Sequence, residues 1–431
     1  MSQFRLARIS LILAAIGLNA APALLTSAHA QAAKPAAAEA PKEAVRPEIF
    51  KLIDPAVIQP LLTAKNYTEV QSRISQAEAI PSLTPFETYI INRMKIQLGS
   101  GTNNAAMTTA ALEASIASGR LTPTEEADFS QVLGSYAYTA KNYPKAIEYY
   151  KRYQKISPTP LKVRDLLARS YYLSGDYASA RTELLPVIAD AEKAGKVPEK
   201  EDLSLLASSY GKLKEMPAYF STLEKLAQFY PTDEYWTDLI NNIQRKPGFS
   251  NRHQLDIYRL ESTAVKVLAP EEYTEWAELA LIAGFPTEAK KALDAGFAAN
   301  VLGTGTNGAK HKQLRDKANK GAADDAKNIA SGEASAAKGK DGTGLVNIGY
   351  AYVTMDQFDK GIDFIKQGIA KGMGKKADEA QLHLGVAYAK AGRKDEAIKV
   401  FEGLKSNDGL TDIARYWIML LNRPAGAVAA K

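Results

Sequence analysis

Six residues near the middle of the chain recur at a spacing of 34. Leu133, Gly134, Tyr138, Tyr143, Ala146 and Tyr150 are followed by Leu167, Ala168, Tyr172, Tyr177, Ala180 and Leu184. A period of this length means one supersecondary unit copied along the chain, each copy burying its apolar face only against its neighbours. The residue types say what the unit is. Two antiparallel helices of about a dozen residues approach closely only where facing side chains are small, so Gly134, Ala146, Ala168 and Ala180 mark helix crossings. Leu133, Tyr150, Leu167 and Leu184 stand at helical spacing from them and form the apolar stripe each helix must bury. The turns read as Lys141-Asn142-Tyr143 and Gly175-Asp176-Tyr177, with Asn142 and Gly175 expected to take the backbone angles that end a helix. Pro158 closes the first copy.

This pattern resembles the tetratricopeptide repeat. With the first two units starting near Ala127 and Leu161, five further candidates follow the template. They start near Lys51 (Leu61, Tyr67, Val70), Lys200 (Ala207, Tyr210, Leu223, Pro231), Pro270 (Trp276, Ala277, Gly284, Ala289), Gly342 (Ile348, Gly349, Tyr352, Ile365) and Asp378 (Leu384, Gly385, Tyr388, Phe401). Gly392 and Ala397 fit the last unit, where the unit before it has Asp356 and Gly361. Segments 89–126 and 235–269 fit only loosely. No segment reads as a strand. The resemblance implies an all-α fold, a right-handed α-α superhelix of about eight or nine helical hairpins.

The order of segments carries a second resemblance. Pro85-Phe86-Glu87-Thr88-Tyr89, Arg245-Lys246-Pro247-Gly248-Phe249-Ser250 and a Gly/Ala-rich stretch before the last repeats look like a group of exported proteobacterial tetratricopeptide proteins. That group implies fold and export more than any biochemical role.

Compartment is read from the N-terminus. Arg5 and Arg8, an apolar run from Ile9 to Leu18, and Ala28-His29-Ala30 before Gln31 form a three-part secretory signal over residues 1–30. The run is about ten residues, where a spanning helix needs roughly 20. The expectation is therefore a mature protein starting at Gln31, periplasmic or secreted, with no membrane span after cleavage. Residues 31–48 are Ala, Pro, Glu and Lys with almost no large apolar group, and read as a disordered tether. A first repeat block is expected over 49–300, an interruption over 301–344 and a second block over 345–431. The chain has no cysteine, which excludes disulfides, thiolate metal sites and a lipid-modified N-terminal Cys. After cleavage 52 basic residues face 48 acidic ones, a balance too mild for a nucleic-acid partner.

Within the interruption, Leu314, Ala318, Ala322, Asp325 and Ile329 fall on one helical face, while Lys310, Lys312, Arg315, Lys317, Lys320 and Lys327 occupy much of the remainder. A long, lightly anchored basic helix fits. Two uses are open to it: a solvated bridge between repeat blocks, or a docking surface for an acidic partner or envelope polymer.

Several constellations look chemical. Gly303-Thr304-Gly305-Thr306-Asn307-Gly308 has dinucleotide-binding glycine spacing, but it follows a helix instead of a strand and reads as a helix-to-helix loop. His253, three residues before Asp256, reads as one member of a helical ion pair, and His383 as a surface or partly packed residue. Glu125-Glu126 and Glu271-Glu272 follow prolines at helix starts and read as helix-terminus stabilisers. Pro247 and Gly248 read as a fixed turn with Phe249 packed down, Ser250 or Asn251 capping the next helix. No nucleophile, base and orienter come together. Catalytic residues, metal ligands and cofactors are all expected to be absent.

What remains is binding. The resemblance implies that the first helix of each hairpin lines a concave wall. It places Gln131, Ser135 and Tyr138, then Asp165, Arg169 and Tyr172, then Ser204, Ser208 and Lys212, on one inner surface. The expectation is a non-enzymatic scaffold that holds a peptide, an extended segment or an envelope protein. The alternative is an accessory factor of polysaccharide export or wall assembly. Tyrosine outnumbers phenylalanine by 21 to 12, which supplies amphipathic rings for either ligand.

Overall fold

Each hairpin is made by a stop and a start set close together. Its first helix ends on a residue with left-handed backbone: Lys65, Asn103, Lys141, Gly175, Lys214, Gly284, Asp356 and Gly392 all have φ between +54° and +87°. The next residue or two then start the second helix. The computed structural model describes residues 43–423, which are helical apart from short turns and contain no strand among the described residues. The chain is an all-α helical solenoid. The expected signal peptide and the first part of the tether lie outside the described residues. Among the described residues no helix is long and apolar enough to cross a membrane.

One detail of the turns departs from expectation. Lys141 takes the left-handed conformation, and Asn142 does not. Instead the Asn142 side chain accepts a hydrogen bond from the Lys145 N–H and caps the following helix. Asp176 does the same one period later for Ser179. A short polar side chain satisfies an orphan N–H that no backbone carbonyl can reach.

The chain divides into two compact units between Asp190 and Ala191, not at the 301–344 interruption. The first unit contains α1 (Pro47–Ile53), α2 (Pro55–Thr63), α3 (Tyr67–Glu78), α4 (Pro85–Gly101), α5 (Ala105–Ala117), α6 (Pro123–Thr139), α7 (Tyr143–Ile156), α8 (Arg164–Leu173) and most of α9 (Tyr177–Lys193). Proline opens α1, α2, α4 and α6, where its missing N–H costs nothing. Thr84 with Glu87 and Thr122 with Glu125 form reciprocal capping boxes. Gly134 is a required close approach, since a Cβ there would stand 2.5 Å from the Tyr150 ring. Ala146, Ala168 and Ala180 are fully buried, as crossings must be.

The tether stops earlier than residue 48. Arg46 donates from its backbone N–H and its guanidinium to the buried Glu87 carboxylate, at 3.0 and 2.8 Å, and Glu43 pairs with Arg120. The hydrogen bond from Arg46, against the opposing effect of burial, holds the Glu87 carboxyl at about 2. Together with Val45, which packs on the first apolar cluster, these polar contacts anchor a stretch otherwise poor in large apolar side chains.

The second unit runs from Ala191 through α10 (Lys200–Leu213), α11 (Met216–Phe229), α12 (Asp233–Arg245), α13 (Gln254–Ala264), α14 (Pro270–Ile282), α15 (Pro286–Ala298), α16 (Gly308–Lys338), α17 (Thr343–Thr354), α18 (Phe358–Lys371), α19 (Ala377–Lys390), α20 (Lys394–Glu402) and α21 (Leu410–Leu421). The interruption is a single helix, α16, packed against α14, α15 and α17, so it joins the hairpins on either side into one body. The Gly303–Gly308 stretch is the loop between α15 and α16, with the Gly303 N–H donating to His311 Nδ1. The last helix packs back on early elements of the same unit. Trp236 of α12 meets Tyr416 of α21 edge to face at 6.1 Å, Arg415 pairs with Glu224 of α11, and Lys246 pairs with Asp412 at 2.7 Å.

Candidate functional site

In the first unit, six of the residues expected on the concave wall stand on α6 and α8. Gln131, Ser135, Tyr138, Asp165, Arg169 and Tyr172 are all half-buried. Tyr138 packs edge to face on Tyr143 at 5.9 Å, and Tyr172 on Tyr177 at 5.2 Å, both with rings inclined at 65°. The recurring tyrosines therefore brace the turns. The Tyr138 hydroxyl is pushed up by burial, opposed by the nearby Arg169 charge and reinforced by Asp165, so these three groups share one patch. Asp165 and Arg169 stand four residues apart on α8, the spacing of a helical ion pair. They form no ion pair with each other or with any other described residue.

Sequence reasoning missed two members of this face. Asp128 lies one turn before Gln131 on α6, and Lys162 three residues before Asp165. Burial raises the Asp128 carboxyl and the Lys162 charge opposes it, so the two are neighbours. They are also 34 residues apart, so the period that revealed the fold carried this signal too. The Tyr150 hydroxyl reaches the same side, 3.4 Å from Ser135 Oγ, and burial pushes it up to about 12. The remaining predicted residues, Ser204 and Ser208, half-buried, and Lys212, exposed, stand on α10 and belong to the second unit.

In the second unit the interior is filled by α13. Residues 256–261 are buried without a break, so for nearly two turns this helix has no solvent face. Its charged side chains are met from several helices. Arg259 makes a paired set of hydrogen bonds to Glu288 of α15, both at 2.8 Å, and a third to Asp256 at 2.7 Å. Its guanidinium lies over the rings of Tyr350 and Phe285, 4.2 and 5.4 Å from their centroids. Trp276 of α14 donates to Glu288 at 3.1 Å. His383 of α19 places Nε2 3.1 Å from Arg259 Nη1 and 3.2 Å from Asp256 Oδ1. A ring protonated on Nδ1 accepts from Arg259, whereas one protonated on Nε2 donates to Asp256. Burial alone would raise Asp256 and Glu288, but the charges and hydrogen bonds of His383 and Arg259 hold Asp256 well below the usual carboxylate range, and those of Arg259 lower Glu288.

Both histidine expectations are overturned here. His383 is buried in this network, not at the surface. His253 is fully buried and pairs with Asp408 at 2.9 Å, not with Asp256, whose carboxylate is taken by Arg259. The reason is long range: Asp408 is brought beside His253 by the loop before α21, where the Ser250 N–H donates to the Asp408 carbonyl. Phe249 does pack down, so closely against Gly409 that a Cβ there would meet its ring at 2.5 Å. Neither Ser250 nor Asn251 caps α13 with its side chain. Glu125 and Glu272 do stabilise helix starts, accepting from the Thr122 and Ala269 N–H groups. Glu125 also pairs with Arg93, and Glu126 with Arg152 of α7.

The family model for the tetratricopeptide repeat matches residues 109–159 and 346–409, one stretch in each unit. No curated protein matches the chain. Among solved structures, it is similar to the TPR2AB domain of yeast Sti1 in complex with pHSP90, at 15% identity over 68% of this chain and 98% of that one, with a TM-score of 0.23. It is also similar to the P58(IPK) TPR domain, at 11% identity over 86% and 98%, TM-score 0.23. A third is the human IFIT1 dimer with m7Gppp-AAAA, at 15% identity over 79% and 77%, TM-score 0.22.

Proposed function

We propose that this chain is an exported, non-enzymatic scaffold that holds an extended peptide segment of a partner protein on the inner face of α6 and α8. One observation supports the reading above the rest. Four polar positions repeat in register at the period of the fold, Asp128 with Lys162, Gln131 with Asp165, Ser135 with Arg169 and Tyr138 with Tyr172, and the Asp165 and Arg169 charges are left unpaired. Half-buried charges without partners carry a desolvation cost that a ligand of complementary charge offsets. The tyrosine rings add rigid, amphipathic contact area at low entropy cost. Export rests on Arg5, Arg8, the Ile9–Leu18 run and Ala28-His29-Ala30.

The test keeps the rings, because Tyr138 and Tyr172 brace their turns. The variant Asp165→Asn, Arg169→Gln, Tyr138→Phe is expected to keep helical content and melting temperature while losing partner capture from envelope extract. Capture undiminished in the folded variant moves the binding surface elsewhere. Retention on purified cell-wall polymer with no protein captured favours the accessory-factor alternative. N-terminal sequencing of the mature protein tests export, with Gln31 the expected first residue.

A further inference from the structure

The longest helix of the described residues, α16, turns one face into the protein and the other out. Ala318, Ala322 and Ile329 are buried, and Leu314 and Asp325 half-buried, on the inward face. At about 100° and 1.5 Å per residue, Lys310, Lys317, Lys320, Lys327 and Lys338 gather on the opposite face, within an arc of about 100° and along about 42 Å of axis. All five are exposed, and none of their ammonium groups forms a hydrogen bond or ion pair among the described residues. Asp324 is the one carboxylate on that arc, and its other positions are Gln313, Asn328, Ser331 and Ser335. Arg315 and Glu333 lie off the ridge and are engaged with Asp294 and Lys360.

This arrangement works against the helix that carries it. The first turn has no acidic residue and contains Lys310, although the positive end of the helix dipole disfavours a cation there. Lys317 and Lys320 are three residues apart, a spacing at which like charges repel. An anion lying along the ridge relieves both costs.

We propose that this ridge binds a linear acidic polysaccharide running along the axis of α16. Its length exceeds any single small anion and suits a polymer that touches several lysines in turn. A membrane surface fits less well, because helices that lie in the interface bury an apolar face in lipid, and the apolar face of α16 is already buried in the protein. A phosphate polymer fits less well too. The ridge lysines stand three to eleven residues apart, about 4.5–16 Å along the axis, a sparse ladder that matches charges separated by sugar rings better than the dense charge of a phosphate chain. Such a contact is spread over several charges and screened steeply by salt.

The experiment uses the full chain and immobilised alginate as the acidic polysaccharide, with polyphosphate and phosphatidylglycerol vesicles as alternatives. The wild type is expected to bind alginate at low salt. The variant Lys310→Gln, Lys317→Gln, Lys320→Gln, Lys327→Gln is expected to lose about tenfold or more in affinity, by the counterion-release logic of polyanion binding, with unchanged circular dichroism and melting. A control with the same change in net charge, Lys51→Gln, Lys65→Gln, Lys141→Gln, Lys151→Gln in the first unit, is expected to bind nearly as the wild type does. The proposal is overturned by equal binding of the ridge variant, by an equal loss in the control, by no alginate binding at low salt, or by preference for polyphosphate or vesicles over alginate. None of these substitutions touches the α6 and α8 face, so failure here leaves the scaffold reading intact.

Discussion

Arg169 and Arg259 are both arginines on repeat-block helices, and they have opposite fates. In the first unit Arg169 is half-buried beside Asp165 and Tyr138 without an ionic partner. In the second unit Arg259 is buried, doubly bonded to Glu288, bonded to Asp256 and covered by the Tyr350 ring. The difference lies in what occupies the interior of each unit. In the second unit α13 is that occupant, a helix of the chain itself, read by a carboxylate, an imidazole and aromatic rings much as a bound peptide would be. In the first unit Asp165 and Arg169 form no ion pair among the described residues. On the scaffold reading proposed above, the surface left for a partner is the one for which the chain has not supplied its own.

The comparison breaks most visibly at Arg259. Arg259→Ala strands two buried carboxylates and is expected to destabilise the second unit by about 3–5 kcal/mol, the range for breaking a buried ion pair. Arg169→Ala is expected to cost about 0.5 kcal/mol or less, as partly exposed positions do. Denaturant unfolding with hydrogen exchange, which locates the loss, measures both. Equal losses would mean that the Arg169 patch is a structural network too.

A smaller effect tests the packing rule of the first unit. Ala146→Leu and Ala180→Leu each overpack a fully buried helix crossing and are expected to cost about 1–3 kcal/mol, against almost nothing for Ala106→Leu at an exposed position of α5. Melting shifts of the same size at all three sites would place the crossings elsewhere.

The two units should also differ in their response to pH. Burial, with the like charge of Glu272, raises the Glu261 carboxyl of α13 from 4.5 to about 7. The sign follows from linkage: a carboxyl raised on folding contributes stability that is complete below its unfolded value and lost as pH rises through 7. Glu87 in the first unit is lowered to about 2, so its contribution is present above 4.5 and lost as pH falls toward 2. Glu261→Gln is expected to raise the melting temperature at pH 8 and leave it unchanged at pH 4. A gain of the same size at both pH values would remove protonation as the cause. The smallest effect is expected on stability itself, from Asp165→Asn with Arg169→Gln: no melting shift, since these charges hold nothing together.

The sequence by itself determined the local unit. Period, small residues at crossings, prolines at helix starts and polar caps are all properties of neighbours within about 34 residues, and they are legible because a repeat buries its face against the next copy. The same period relates Gln131 with Asp165 and Ser135 with Arg169, and also Asp128 with Lys162, the pair that the sequence reading missed. What the tertiary structure decided is the second unit. Segment 235–269 fits the template loosely because α13 is buried all round and so has no one-sided apolar stripe to find. The partners of its charges are 29 residues away at Glu288 and 127 away at His383, and His253 finds Asp408 at 155. No period or spacing encodes such pairs. They exist only once α15, α19 and the loop before α21 have closed around the start of α13, where the low dielectric makes each charge dependent on partners that the sequence alone never sets side by side.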